Sequence, residues 1–189
     1  MNTYLHQIIF MINIGKFILI DGTISDALPE AGEALGVVFD ETQDAYLILP
    51  FTDIDCQQSY SIQEIIDIAE CYNQKHGNRW LQWMVPTLRD WNVIINRLGK
   101  ALPIGKEEPC SLVRKAEWTE FDAAIAQENL KGFGLSADLS YWSSTEYDDD
   151  VYLLDLAAGT IEAYPMWDDG EPYDYALRLI GKVSKNKNL

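Results

Sequence analysis

The stretch from Tyr141 to Ile180 leaves this chain few choices. Tyr141 to Tyr147 has strand character, though its serines break the alternation. Asp148, Asp149 and Asp150 favour a turn before the apolar Val151–Leu156 segment. Ala157 to Thr160 turns again through Gly159, and Thr160 to Met166 returns as another strand. Asp, Gly and Pro interrupt the chain from Trp167 to Asp174. Tyr175 to Ile180 is the last strand expected, with Ala176, Leu177, Leu179 and Ile180 supplying apolar surface. Short loops between such segments predict a small, mostly antiparallel sheet.

The earlier chain reads as a framework for that region. Ile8 to Ile20 contributes strand structure, and Asp21-Gly22-Thr23 is a turn. Val37–Phe39 and Tyr46–Leu49 form strands around the polar Asp40–Asp44 turn. Ser61 and Glu64 have capping-box spacing, and Ile62, Ile65, Ile66, Ala69 and Tyr72 follow at helical intervals. Gly77 ends that helix. Thr87 with Asp90 caps a second one, whose apolar face is Leu88, Trp91, Ile94, Ile95 and Leu98, with Gly99 as terminator. A third is expected between Thr119 and Leu130, turning Phe121, Ala124 and Ile125 inward. The fold class is α+β, with two or three helices packed on the sheet. Residues 1–183 form a single domain, and 184–189 a short basic tail.

A chain of 189 residues with 48% hydrophobic and 12% aromatic content can bury a sizeable core. Its net charge of -16 repels polyanions, so no nucleic-acid partner is expected. From Phe133 to Leu177 there are many acids and no Lys or Arg. Three cysteines without a CxxC pair read as unpaired thiols, with one disulfide as the alternative. The apolar Tyr4–Ile20 run has no preceding Lys or Arg, and Asn13, Gly15 and Lys16 interrupt it. It therefore reads as strand structure rather than an export signal or a membrane span.

Asp21-Gly22-Thr23, Gly36–Phe39, Pro86–Trp91, Tyr141–Glu146 and Ala176–Ile180 occur in an order that resembles the Lcl C-terminal-type domain family. That family is long catalogued as a domain of unknown function. It resembles C-type lectin-like folds and the formylglycine-generating-enzyme fold. The Tyr-Trp-Ser-Ser-Thr-Glu run is the most specific part, and Leu179 stands where relatives often carry proline. The resemblance implies Trp142, Ser143, Ser144, Glu146 and Arg178 as signature residues, with structural roles. Trp142 fills the core beside the Trp91 helix, and Arg178 pairs with Glu146 or approaches Asp90. It also implies bacterial surface or phage-associated relatives, some displaying variable residues late in the chain.

Tyr147, Asp148, Asp149, Tyr152, Tyr164, Trp167, Asp168, Asp169, Tyr173 and Asp174 have the composition of such a ligand-binding surface, as does Tyr175. Tyr and Trp combine large contact area with a polar edge. Sharper chemistry finds less support. Asp148–Asp150 and Asp168–Asp169 offer the oxygen ligands Ca²⁺ prefers, but without EF-hand spacing, so no cofactor is expected and calcium is the minor alternative. His6 and His76 are isolated, and no zinc-site spacing occurs. No GxSxG, P-loop or dinucleotide fingerprint is present. The reading is a noncatalytic surface or phage-associated module for a protein or glycan. A structural subunit, including a homo-oligomer, is the alternative; a hydrolase using paired carboxylates is the lesser one.

Overall fold

A computed structural model describes residues 12–56, 62–102, 119–147, 150–165 and 175–186. Along the chain these form β1 (Phe17–Leu19), β2 (Ile24–Ser25), β3 (Ala34–Glu41), β4 (Ala45–Leu49), β5 (Asp55–Cys56), α1 (Ile62–His76), β6 (Leu81–Met84) and α2 (Leu88–Arg97). There follow β7 (Thr119–Glu120), α3 (Ala123–Leu130), a 3-10 turn (Lys131–Phe133), β8 (Ser140–Tyr147), β9 (Asp150–Asp155), β10 (Thr160–Pro165), β11 (Tyr175–Leu177) and β12 (Ile180–Ser184).

The class is α+β, but the strands build two six-stranded sheets where one small sheet was expected. The first has the order β2-β1-β3-β4-β12-β6 and is antiparallel throughout. The second has the order β5-β11-β8-β9-β10-β7 and is mixed, since β11 runs parallel to β8. The outer strands of neither sheet pair with each other, so no closed barrel forms among the described residues. The cause of the split lies in the last apolar segment. Its ladder stops at Leu177, Arg178 and Leu179 leave it, and Ile180 begins a strand between β4 and β6. The chain's last described strand thus completes a sheet begun by its first.

The central strands of both sheets bury both faces. Val37, Phe39, Leu49, Tyr152, Leu154 and Ile180 pack with α2 and α3 in one core. Their strand neighbours Val38, Ile48, Val151, Leu153 and Val183 pack with Ile65 and Ala69 of α1 in another. Side chains alternate faces along a strand, so continuous apolar runs are what two covered faces require. Fully burying such a side chain contributes roughly 1.5–3 kcal/mol, which makes these runs the dominant stabilising term.

The helices follow their sequence signals with local exceptions. Thr87 and Asp90 form a complete capping box at α2, and Leu88, Trp91, Ile94, Ile95 and Leu98 are all buried. The left-handed residue beyond this helix is Lys100 (φ 54) and not Gly99. Asp122 caps α3 through a 3.1 Å bond from the Ile125 amide. This start sets the buried pair as Ala126 and Leu130, one helical turn apart. Ala124 and Ile125, expected inside, face solvent, while Phe121 is buried ahead of the helix. Ser61 and residues 8–11 lie outside the described residues. At the other end of the domain, β12 runs through Ser184, and the Lys185 ammonium reaches Glu41 at 2.7 Å.

The β6 edge of the first sheet is closed by a side chain. The Trp83 amide donates to Asn73 Oδ1 at 2.6 Å, and Asn73 Nδ2 donates to the Trp83 carbonyl. The Asn73 amide imitates a neighbouring strand, satisfying groups that would otherwise invite another chain. Asn73→Ala leaves both backbone groups without that partner. We expect it to lower unfolding free energy by about 1–3 kcal/mol, read from the urea midpoint at unchanged slope.

Candidate functional site

Strand β8 is joined to α2 by the Tyr-Trp-Ser-Ser-Thr run. Tyr141 faces the core of α2 and packs against Trp91, with ring centroids 5.6 Å apart. Trp142 faces the opposite core, where it meets Tyr175 edge-on at 5.1 Å. Trp142 was expected beside the Trp91 helix; its carbonyl is there, accepting from Trp91 Nε1 at 3.0 Å, while its ring lies on the other side. Strand alternation permits only one of the adjacent rings on that face.

The ladder between β8 and β9 shifts register between Trp142 and Glu146. That irregularity turns polar groups toward the segment leading into α2. Ser143 is fully buried, and its Oγ accepts from the Thr145 amide at 3.0 Å. The Ser144 amide donates to the Pro86 carbonyl at 2.7 Å. Thr145 Oγ1 accepts from the Leu88 amide at 2.9 Å. Leu88 opens α2, so this bond satisfies a donor that the helix cannot satisfy itself. Ser144, one of the serines that weaken the strand pattern, and Thr145 beside it are therefore the residues that dock it.

Arg178 lies where the chain passes from β11 to β12 and is 0% exposed. It pairs with Asp53, Nε to Oδ1 at 2.5 Å, and not with Asp90; the Glu146 side chain lies outside the described residues. Asp90 instead accepts from the Thr87 amide (2.8 Å) and hydroxyl (2.6 Å) at the cap. Arg178 Nη1 donates to the Pro50 carbonyl and Nη2 to the Gly134 carbonyl, each at 2.6 Å. Gly134 has φ +78, and a Cβ there would stand 2.0 Å from the Phe51 carbonyl oxygen, so only glycine fits. The five guanidinium N–H groups form a fixed planar fork, which suits three acceptors on two separate segments.

Tyr141 lies beside this pair. Its hydroxyl oxygen accepts from the Ser136 amide at 2.7 Å. Burial, reinforced by the negative charge of Asp53, pushes its pKa up to about 12; the Ser136 bond and Arg178 oppose that rise.

The structure gathers the proposed ligand residues only in part. Tyr147 pairs with Asp150, and Asp150 also pairs with Pro165, so the ends of β8, β9 and β10 meet at one end of the second sheet. Tyr164 sits one ladder position inward, opposite Val151. Tyr152 is 1% exposed and belongs to the core of α2 and α3, which removes it from any exposed surface. Its position in a two-sided strand decides this; an aromatic residue next to an acidic turn looks the same in sequence either way. Asp148, Asp149, Trp167, Asp168, Asp169, Tyr173 and Asp174 lie outside the described residues, as do the side chains of Glu146, Tyr147 and Tyr164.

Of the proposed calcium ligands, Asp148, Asp149, Asp168 and Asp169 are among those residues, and the side chain of Asp150 also lies outside the described residues. Among the described ones, no group of three or more His, Cys, Asp or Glu side chains could hold a metal. Cys71 is an exposed free thiol; the Cys56 side chain and Cys110 lie outside the described residues. No described helix is long and apolar enough to cross a membrane. Sequence reasoning missed Asp53, Pro50 and Gly134 as partners of Arg178. Only Gly134, in the glycine-containing turn after α3, carried a local signal.

No family model, curated protein or solved structure matches the chain.

Removing Arg178 while retaining Asp53 leaves a carboxylate whose surroundings are built for a pair. Arg178→Ala is expected to cost about 3–5 kcal/mol, and Arg178→Met combined with Asp53→Leu less than the two single changes together, measured as a denaturation double-mutant cycle. Tyr141 titrates in the opposite sense from a paired carboxylate. Its folded pKa is raised, so its contribution is complete below pH 10 and is lost as pH rises toward 12. The unfolding free energy should fall by about 2–3 kcal/mol more in the wild-type chain than in Tyr141→Phe across that interval.

Proposed function

We propose that this protein is a noncatalytic recognition module, of the lectin-like kind its signature segments resemble, which binds a protein or glycan at the end of the second sheet. The observation that carries this reading is the meeting of Tyr147, Asp150 and Pro165 in one ladder. These residues flank an acidic connection, 148–149, and an acidic, aromatic one, 166–174. A recognition surface needs a support that does not yield. The β8–α2 bonds supply one by tying β8 to a packed helix, and the buried Arg178 fixes the crossover that follows β11, the parallel neighbour of β8. Variable residues can then change without loss of the fold.

On such a surface Tyr147, Tyr164, Trp167 and Tyr173 are the aromatic anchors, and the flanking aspartates form a polar rim. The acidic rim steers association toward basic partners, so the on-rate should fall as salt rises. Screens of glycans, proteins and whole-cell surfaces on the wild-type chain identify the ligand. Combined Ala substitution of Tyr147, Tyr164, Trp167 and Tyr173 should abolish that binding while circular dichroism and the melting temperature stay near wild type. Retained binding by a folded variant rejects the surface.

A further inference from the structure

A second site lies on the first sheet, away from the strands just discussed. An open groove of about 730 Å³ runs between the end of α1, the turn at Asn78–Trp80 and strands β6 and β12. Its volume falls within the roughly 300–1,000 Å³ of small-molecule sites. Its walls mix apolar and polar surface. Asp44 and Glu70 bring two carboxylates, and Arg79 and Lys182 bring two cations. None of the four forms an ion pair among the described residues. Their charges sum to zero in a chain whose total is -16, so this groove is not an extension of the general acidic surface.

Two further amides complete the lining. The Gln74 and Gln82 side chains are exposed and make no hydrogen bond among the described residues, so their amide donors and acceptors are available. The turn beneath them is held in place. Asn78 Oδ1 accepts from the Trp80 amide at 2.9 Å and the Leu81 amide at 3.1 Å, and the Ser184 amide donates to the Trp80 carbonyl at 2.8 Å. The Trp80 indole is half-buried against the core of α1, which leaves part of it lining the groove.

We infer that this groove binds an uncharged, polyhydroxylated ligand, that is, a neutral saccharide. Sugar hydroxyls both donate and accept. They match a lining that offers carboxylates, amides and cations, and they need no net charge. The apolar C–H face of a sugar ring suits an indole, which is amphipathic and stiff. The pinned turn and the short, fixed β6–β12 pairing hold these groups before the ligand arrives, which limits the ordering cost of binding. This site is independent of the recognition surface on the second sheet.

The test uses the full chain with cellobiose, chitobiose, maltotriose and mannotriose, by saturation-transfer NMR and calorimetry. At least one should bind. Gln74→Ala with Gln82→Ala changes only exposed side chains and should weaken that binding by about tenfold or more at unchanged melting temperature. Trp80→Ala, checked for folding by circular dichroism, should weaken it further. Failure of all four sugars to bind overturns the inference. So does binding that survives the glutamine pair, or that disappears on replacing Tyr147, Tyr164, Trp167 and Tyr173 instead. A folded quadruple variant that still binds sugar supports the groove, whatever becomes of the other surface.

Discussion

The structure depends on one buried guanidinium. Arg178 stands at the crossover between two sheets, paired with Asp53 and bonded to the carbonyls of Pro50 and Gly134. Those partners lie in the segment after β4 and the turn after α3, so one side chain holds three separated parts of the chain. A buried ion pair contributes little net stability, because desolvation offsets the attraction. Its value here is geometric. An apolar residue at 178 would not specify where the final strand leaves one sheet and enters the other. The hydrophobic runs provide the driving force, and the guanidinium selects among the ways they could be satisfied.

The two-sided burial of the central strands has a consequence for function. A strand covered on both faces offers no face to a ligand, so recognition is left to strand ends, connections and helix–sheet edges. The meeting of β8, β9 and β10 at one end of the second sheet is one such place. The groove beside β6 and β12 is another, at an edge that Asn73 has already closed to strand addition. The rigid middle and the polar margins are products of the same packing.

Much of the framework was legible because its signals are local. The Thr87–Asp90 box and the apolar stripe of α2 need only neighbouring residues, and the structure contains both. Likewise the polar turn after β3 separates two strands within a few residues. Less was legible in β8, where the serines looked like defects. Ser144 bonds to Pro86, and Thr145 beside it to Leu88 at the start of α2, both far away in sequence, and no periodicity could say so. For α3 the helix was legible but its inward face was not, because a cap at Asp122 sets the helix start and hence the buried face.

By itself the sequence determined the α+β class, the positions of most strands and helices, and the concentration of acid and aromatic residues late in the chain. These follow from propensity, capping and hydrophobic period, which act over a few residues. Only the tertiary structure decided that the last apolar run divides between two sheets, that Tyr152 points inward, and that Arg178 answers to Asp53. Each of those outcomes turns on which distant segment supplies the opposite wall, and that is a property of the packed chain rather than of any stretch within it.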